Sequence, residues 1–213
     1  MVTATTFRDT ITTIEQLREV IPPPTGPALA KEIDFVDEHA RAFIARSPFA
    51  LIATAGTDGR CDVSPKGDVP GFVQVLDEHT LVIPDRPGNQ RADSLQNIIA
   101  NPHIGLLMII PGVEWTLRVN GRATLVRDAD VLQRCAVEGK LPILGIAVEV
   151  EELFLHCPKC FLRSQLWDTE QWMPADEQPK WAAVLRDHTK LDAIPVEVIE
   201  KALDASHAPD KLY

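Results

Sequence analysis

FALIATAGTDGR (49–60), CDVSPKGD (61–68) and LVIPDRPGNQRADSLQNIIANPHIGLL (81–107) are the stretches whose reading decides the fold. Apolar runs of strand length alternate here with loops that carry the polar residues. Thr57-Asp58-Gly59-Arg60 turns between a strand at 49–55 and another at 61–65, because Asp and Gly accept the backbone angles of a tight hairpin. A further β run covers 80–84, and the loop Asp85-Arg86-Pro87-Gly88 then opens a helix expected over 89–100, with Leu95, Ile98 and Ile99 turned to a core. The helix start gathers Asn89, Arg91 and Ser94 beside Arg86. Unpaired N–H groups of a first helical turn together with guanidiniums make an anion site, and phosphate is a natural occupant. Ser64 and Lys66, from the preceding strand, complete a donor set in which Arg can grip two oxygens at once.

Working outward, Asn101-Pro102 ends the helix and an apolar run at 103–110 reads as a buried strand. Residues 114–126 alternate, with Trp115, Leu117, Val119, Gly121 and Ala123 on one face and Thr116, Arg118, Asn120, Arg122 and Thr124 on the other. Gly121 in mid-strand implies a bulge or a close backbone approach. A helix follows over 128–137, then a strand at 143–150 that 153–156 continues or pairs with. On the other side, residues 1–10 read as a tail. Thr12-Thr13 with Glu15 and Gln16 caps a short helix to Val20, and Pro22–Pro24 makes a stiff connector. One helix is expected over 27–46, from the spacing of Leu29, Ile33, Val36, Ala40, Phe43 and Ile44. The stretch 168–180 is a connector, and 181–188 and 196–205 are terminal helices.

The expected fold is mainly β with flanking helices (α+β), its strands antiparallel and closed or half closed into a barrel, since closure removes exposed edges. Domain bounds follow as a tail, short helix and Pro-rich connector over 1–28, a barrel domain over 29–168 and a helical extension over 169–213.

The formal net charge of −10 argues against a nucleic-acid groove, which needs clustered positive charge. No run approaches the roughly 20 apolar residues of a membrane span. The polar, Thr-rich start reads as lacking a secretory leader, and with four Cys it implies reduced thiols in a cytoplasm. G-x-S-x-G, Walker A, G-x-G-x-x-G and H-E-x-x-H patterns are absent from the sequence, against hydrolase, nucleoside-triphosphatase, Rossmann and zinc-protease readings. His156-Cys157-Pro158-Lys159-Cys160 supplies three soft ligands, one short of a tetrahedral metal site. Its other readings are a thiol redox pair or buried structural cysteines, and no resident metal is expected.

The opening strand FALIAT, the DGR turn, SPKGD, PDRPGNQR-x-DSL-x-NI, NPHIGLL and the later LRVNGRA together resemble the pyridoxamine 5′-phosphate oxidase-related family, the flavin-binding split β-barrels, over roughly residues 29–168. The resemblance implies a homodimer with flavin mononucleotide (FMN) at the subunit interface. It implies that the strand around Ser64, Pro65 and Lys66 borders the flavin ring and ribityl chain, and that Arg86, Asn89, Arg91 and Ser94 meet its phosphate. Thr116 and Arg118 would face the flavin across the interface, although the true oxidases usually carry Gln where Thr116 falls. His156 and Lys159 would line a substrate pocket, with Arg163 holding an acidic substrate; Trp167 either stacks on the flavin or packs as an ordinary aromatic. The implied activity is an oxidoreductase passing hydride or electrons between FMN and a small molecule, with no acid or base residue singled out. The alternative is a non-catalytic module holding flavin, deazaflavin or heme.

Overall fold

The structure, a computed structural model, describes residues 7–213; the first six residues of the expected tail lie outside the described residues. It forms two compact units, one up to Glu32 and one from Ile33 to Tyr213.

The first unit holds α1 (Ile14–Val20) and α2 (Pro27–Ala30). Thr13 caps α1 as expected: Gln16 N–H donates to Thr13 Oγ1, and Thr13 N–H donates back to Gln16 Oε1, both at 3.3 Å. The single helix expected over 27–46 does not form. After α2 the chain resumes a helix only at α3 (Glu38–Ile44), which begins the core-packing part of the second unit. The cause is local and tertiary together. Asp37 accepts the Ala40 N–H at 2.7 Å and so makes a new helix start. Ile33 is held in a β-bridge to Leu153, which demands extended backbone.

The remaining elements of the second unit are β1 (Phe49–Ala55), β2 (Cys61–Gly67), β3 (Gln74–Val75), β4 (Thr80–Asp85), α4 (Asp93–Ala100), β5 (His103–Ile109), β6 (Thr116–Val126), α5 (Ala129–Arg134), β7 (Leu144–His156), α6 (Lys159–Ser164), α7 (Trp181–Thr189) and α8 (Val196–Ser206). The strands make one antiparallel sheet in the order β2-β1-β5-β6-β7-β4-β3. Alternate residues of each central strand, such as Ile52, Leu106, Leu117 and Ile146, turn to one shared core, which Ile44 of α3 and Ile98 of α4 complete.

The two flanks of this sheet come together. Lys66 on edge strand β2 reaches Asp85 at the end of β4 at 2.9 Å, and Asp68 just after β2 reaches Arg86 just after β4 at 2.6 Å. β3 covers β4 only at Leu81 and Val82, so the far half of β4 has no strand on that side. The sheet is therefore a barrel split along one seam, and side chains rather than a strand ladder bridge the seam.

β6 and β7 form the longest pairing, and 144–156 is one continuous strand rather than two. Asn120 pairs Glu152 while Gly121 pairs Val150, which leaves Glu151 as the extra residue of a bulge. Both expectations for Gly121 are met, because a Cβ there would run into the Glu149 carbonyl. No helix among the described residues is long and apolar enough to cross a membrane. Gly121→Ala should lower unfolding stability by about 3 kcal/mol, the upper end of the usual cost of overpacking, as read by urea denaturation.

Candidate anion-binding site

β2 is an edge strand whose inner face is polar. In antiparallel register Asp62, Ser64 and Lys66 stand opposite Thr54, Ile52 and Ala50, the core-facing residues of β1. Opposed residues share a face, so β2 turns three polar side chains inward while Val63, 60% exposed, points out. An interior that is apolar on β1 and polar on β2 marks where the core stops and a binding surface begins.

A cavity of about 490 Å³ lies against this face. Its other wall is Pro84 to Leu95, the end of β4, the loop after it and the first turn of α4. The structure thus brings together Ser64, Pro65, Lys66, Arg86, Asn89, Arg91 and Ser94, seven of the residues nominated from sequence.

The loop differs from expectation in a way that matters chemically. α4 starts at Asp93, not at 89. Asn89 Oδ1 accepts the Arg91 N–H at 3.0 Å, which turns the chain back on itself. Gln90 and Ala92 then take left-handed backbone angles, with φ of 59° and 56°. Such angles are costly for residues with a Cβ and concentrate at functional sites. The helix is left without a side-chain cap, as are α2, α5, α6, α7 and α8, while Thr13 and Asp37 cap α1 and α3. Asp93, Ser94 and Leu95, the first turn of α4 with the positive end of its dipole, line the cavity.

The expected surplus of positive charge is not present. Lys66, Arg86 and Arg91 line the cavity with Asp62, Asp85 and Asp93. Lys66 pairs with Asp85, Arg91 with Asp93 at 2.7 Å, and Ser94 Oγ donates to Asp62 at 2.6 Å. Arg86 pairs with Asp68, whose side chain has no exposed surface. Sequence reading missed Asp62, Asp68 and Asp85 because each lies far along the chain from its partner, and missed Asp93, two residues from Arg91, because it was read only as part of the helix. The Asp-rich neighbourhood of each donor was the available signal.

Asp68 is the most constrained of them. Burial alone would push its carboxyl up, but hydrogen bonds from the Tyr213 hydroxyl and the Val69 N–H, with the Arg86 guanidinium, hold it below the ordinary carboxylate value.

Other nominated residues lie elsewhere. Thr116, Arg118 and His156 are not among the cavity lining. Thr116 pairs with His156 and Arg118 with Phe154, on the face of β6–β7 opposite the core. Thr116 is buried at 3%, so it is not solvent-facing. The Arg118 guanidinium lies 5.2 Å from the Phe154 ring centre and 3.6 Å from Glu152. Lys159 and Arg163 are exposed on α6. Trp167 packs on Phe161, ring centres 5.8 Å apart, and its Nε1–H donates to the Val113 carbonyl at 3.0 Å, which favours the packed-aromatic reading. Cys157 and Cys160 are free and exposed, which corrects the buried structural reading; the buried cysteine is Cys135.

A family model for pyridoxamine 5′-phosphate oxidase matches residues 36–157. The chain belongs to the pyridoxamine 5′-phosphate oxidase family. The matched stretch holds every strand of the sheet and all of the cavity lining. Solved structures similar to this family member include HupZ from Group A Streptococcus, 17% identical over 56% of this chain and 93% of that one, with a TM-score of 0.46. Another is an FMN-binding protein from Syntrophomonas wolfei subsp. wolfei, 12% identical over 56% of this chain and 85% of that one, TM-score 0.45. A third is HutZ, the heme storage protein from Vibrio cholerae, 19% identical over 57% of this chain and 93% of that one, TM-score 0.38. No curated protein matches the sequence significantly.

Asp68→Asn leaves Arg86 without its buried partner and should cost about 3–5 kcal/mol at neutral pH. A depressed carboxyl contributes stability that is complete above its unfolded value, near 3.9, and lost as pH falls through the folded value. Denaturant midpoints of wild type and variant should therefore differ most at neutral pH and converge below about pH 4.

Proposed function

We propose that this protein binds FMN with its phosphate in the cavity between β2 and the 86–92 loop, and works as a flavin-dependent oxidoreductase on a small molecule. The observation that carries the reading is the uncapped start of α4, set against Lys66, Arg86 and Arg91 around one cavity. The donor chemistry fits a phosphate. Backbone amides and Ser94 offer hydrogen bonds, and the cations offer charge. The volume of about 490 Å³ falls within the range of roughly 300–1,000 Å³ typical of small-molecule sites.

Because each cation already has a carboxylate partner, a phosphate competes with Asp85 and Asp93 for Lys66 and Arg91. The amides have no such competitor among the capping side chains, so they set the register of the anion. Ser64 and Pro65 then lie along the strand that would border the rest of the flavin. Bound FMN would supply the redox chemistry, passing hydride or electrons between a donor and the substrate. The cavity lining contains no His, Cys or Tyr, which suits a site where the protein binds and orients rather than transfers protons. The same observation suits the second reading, a module that holds flavin without turnover.

Half-exposed Arg118, with His156 on the same outer face of β6–β7, is proposed to meet a second copy of the chain and to approach that copy's flavin, whereas Thr116 is already buried within its own chain. Lys159 and Arg163, one helical turn apart on α6, are proposed to hold an acidic substrate, and the exposed free thiols of Cys61, Cys157 and Cys160 fit a reducing cytoplasm.

Flavin fluorescence titrations test the reading. Wild type should bind FMN more tightly than riboflavin, which lacks the phosphate. Lys66→Ala and Arg91→Ala should each weaken FMN by about 1–3 kcal/mol and leave riboflavin nearly unchanged. Equal binding of the two flavins, or FMN affinity untouched in both variants, would contradict the phosphate placement. Turnover of an electron donor above that of free flavin separates the enzyme from the module, and sedimentation velocity reads the dimer.

A further inference from the structure

We propose that Tyr213 is a positioning residue of the anion site: its hydroxyl and ring hold the Arg86–Asp68 pair, so that the 209–213 segment acts as a clasp on the cavity. The inference rests on the phosphate reading of that cavity. Tyr213 lies 145 residues from Asp68 in the chain, yet its Oη donates to Asp68 Oδ1 at 2.6 Å. The same oxygen accepts the Val69 N–H at 2.7 Å, and Oδ2 accepts Arg86 Nε at 2.6 Å. The Arg86 guanidinium also lies 5.3 Å from the Tyr213 ring centre, within cation–π range. Its Nη2 donates to the Cys135 carbonyl at 2.7 Å.

Arg86 is thereby boxed on three sides, by a carboxylate, a carbonyl and an aromatic face, while it lines the cavity. With Nε and one Nη2 hydrogen committed, Nη1 and the second Nη2 hydrogen are left to offer a ligand. A long, flexible side chain so held loses little further freedom when an anion engages it. The hydrogen bond to Asp68 raises the Tyr213 hydroxyl above the usual phenol value. The turn at Pro209–Lys211 follows α8 and delivers Tyr213 to the seam.

A residue that merely packed there would leave flavin affinity alone. The inference instead expects Tyr213→Phe, which keeps the ring and loses the hydroxyl, to weaken FMN about 3- to 10-fold, less than the full worth of a hydrogen bond to a charged group because the hydroxyl reaches the ligand only through Arg86. Tyr213→Ala in an Arg86→Gln background should add no further loss, because both act through one guanidinium. Tyr213 is the sole tyrosine of the chain. Protein labelled with 13C-tyrosine therefore gives one tyrosine signal, and in wild type it should shift on adding FMN with the same dissociation constant as the flavin titration. This readout needs no variant to fold. FMN binding with an unmoved tyrosine signal and undiminished affinity in Tyr213→Phe would overturn the inference and leave the phosphate reading standing. Failure of wild type to bind FMN at all would overturn both.

Discussion

The paired contacts Lys66–Asp85 and Asp68–Arg86 close the barrel where backbone pairing stops. In these two pairs each side of the seam gives one cation and one anion, so the charges that bridge the gap balance. A strand ladder at this place would have sealed the barrel and left no room for a ligand. Apolar packing would have sealed it too. Ion pairs hold the edges together while keeping the gap polar, and the desolvation they cost is tolerable because three of the four side chains retain some exposure. The cavity is a consequence of that choice: it is the space between two strands joined by side chains alone.

The second constraint is the 86–92 loop. Pro87 and Gly88 leave β4, the Asn89 side chain bends the chain, and Gln90 and Ala92 adopt left-handed angles that their side chains disfavour. The gain is a helix delivered to the cavity with its first amides uncapped. The loop lies within the 36–157 stretch that matches the pyridoxamine 5′-phosphate oxidase family.

The strands were legible because apolar alternation and turn residues are local signals. The β1–β2 hairpin, the bulge at Gly121 and the α1 capping box all followed from a few neighbouring residues. The helix expected over 27–46 was not, because its apolar spacing at Ile33 serves a bridge to Leu153, 120 places on, that no local pattern records. The site was legible in its donors and illegible in its acids. Lys66, Arg86, Arg91 and Ser94 stood out as candidate phosphate ligands and line one cavity, but Asp62, Asp68 and Asp85 acquire meaning only once the sheet curls. Tyr213, carried in on the last helix, gave no sign of its role in sequence, since its partner Asp68 sits at the opposite end of the fold's chain order. Parity explained another part: Thr116 and Arg118 alternate with core residues, so they fall on the outer face of β6, away from the cavity.

The most direct measurement is a crystal structure of the protein with FMN. The account predicts the phosphate against the first-turn amides of α4, within hydrogen-bond distance of Arg91 or Lys66, and the ring along β2. A flavin whose phosphate sits on the outer β6–β7 face, with the cavity at the seam filled only by water, would contradict it.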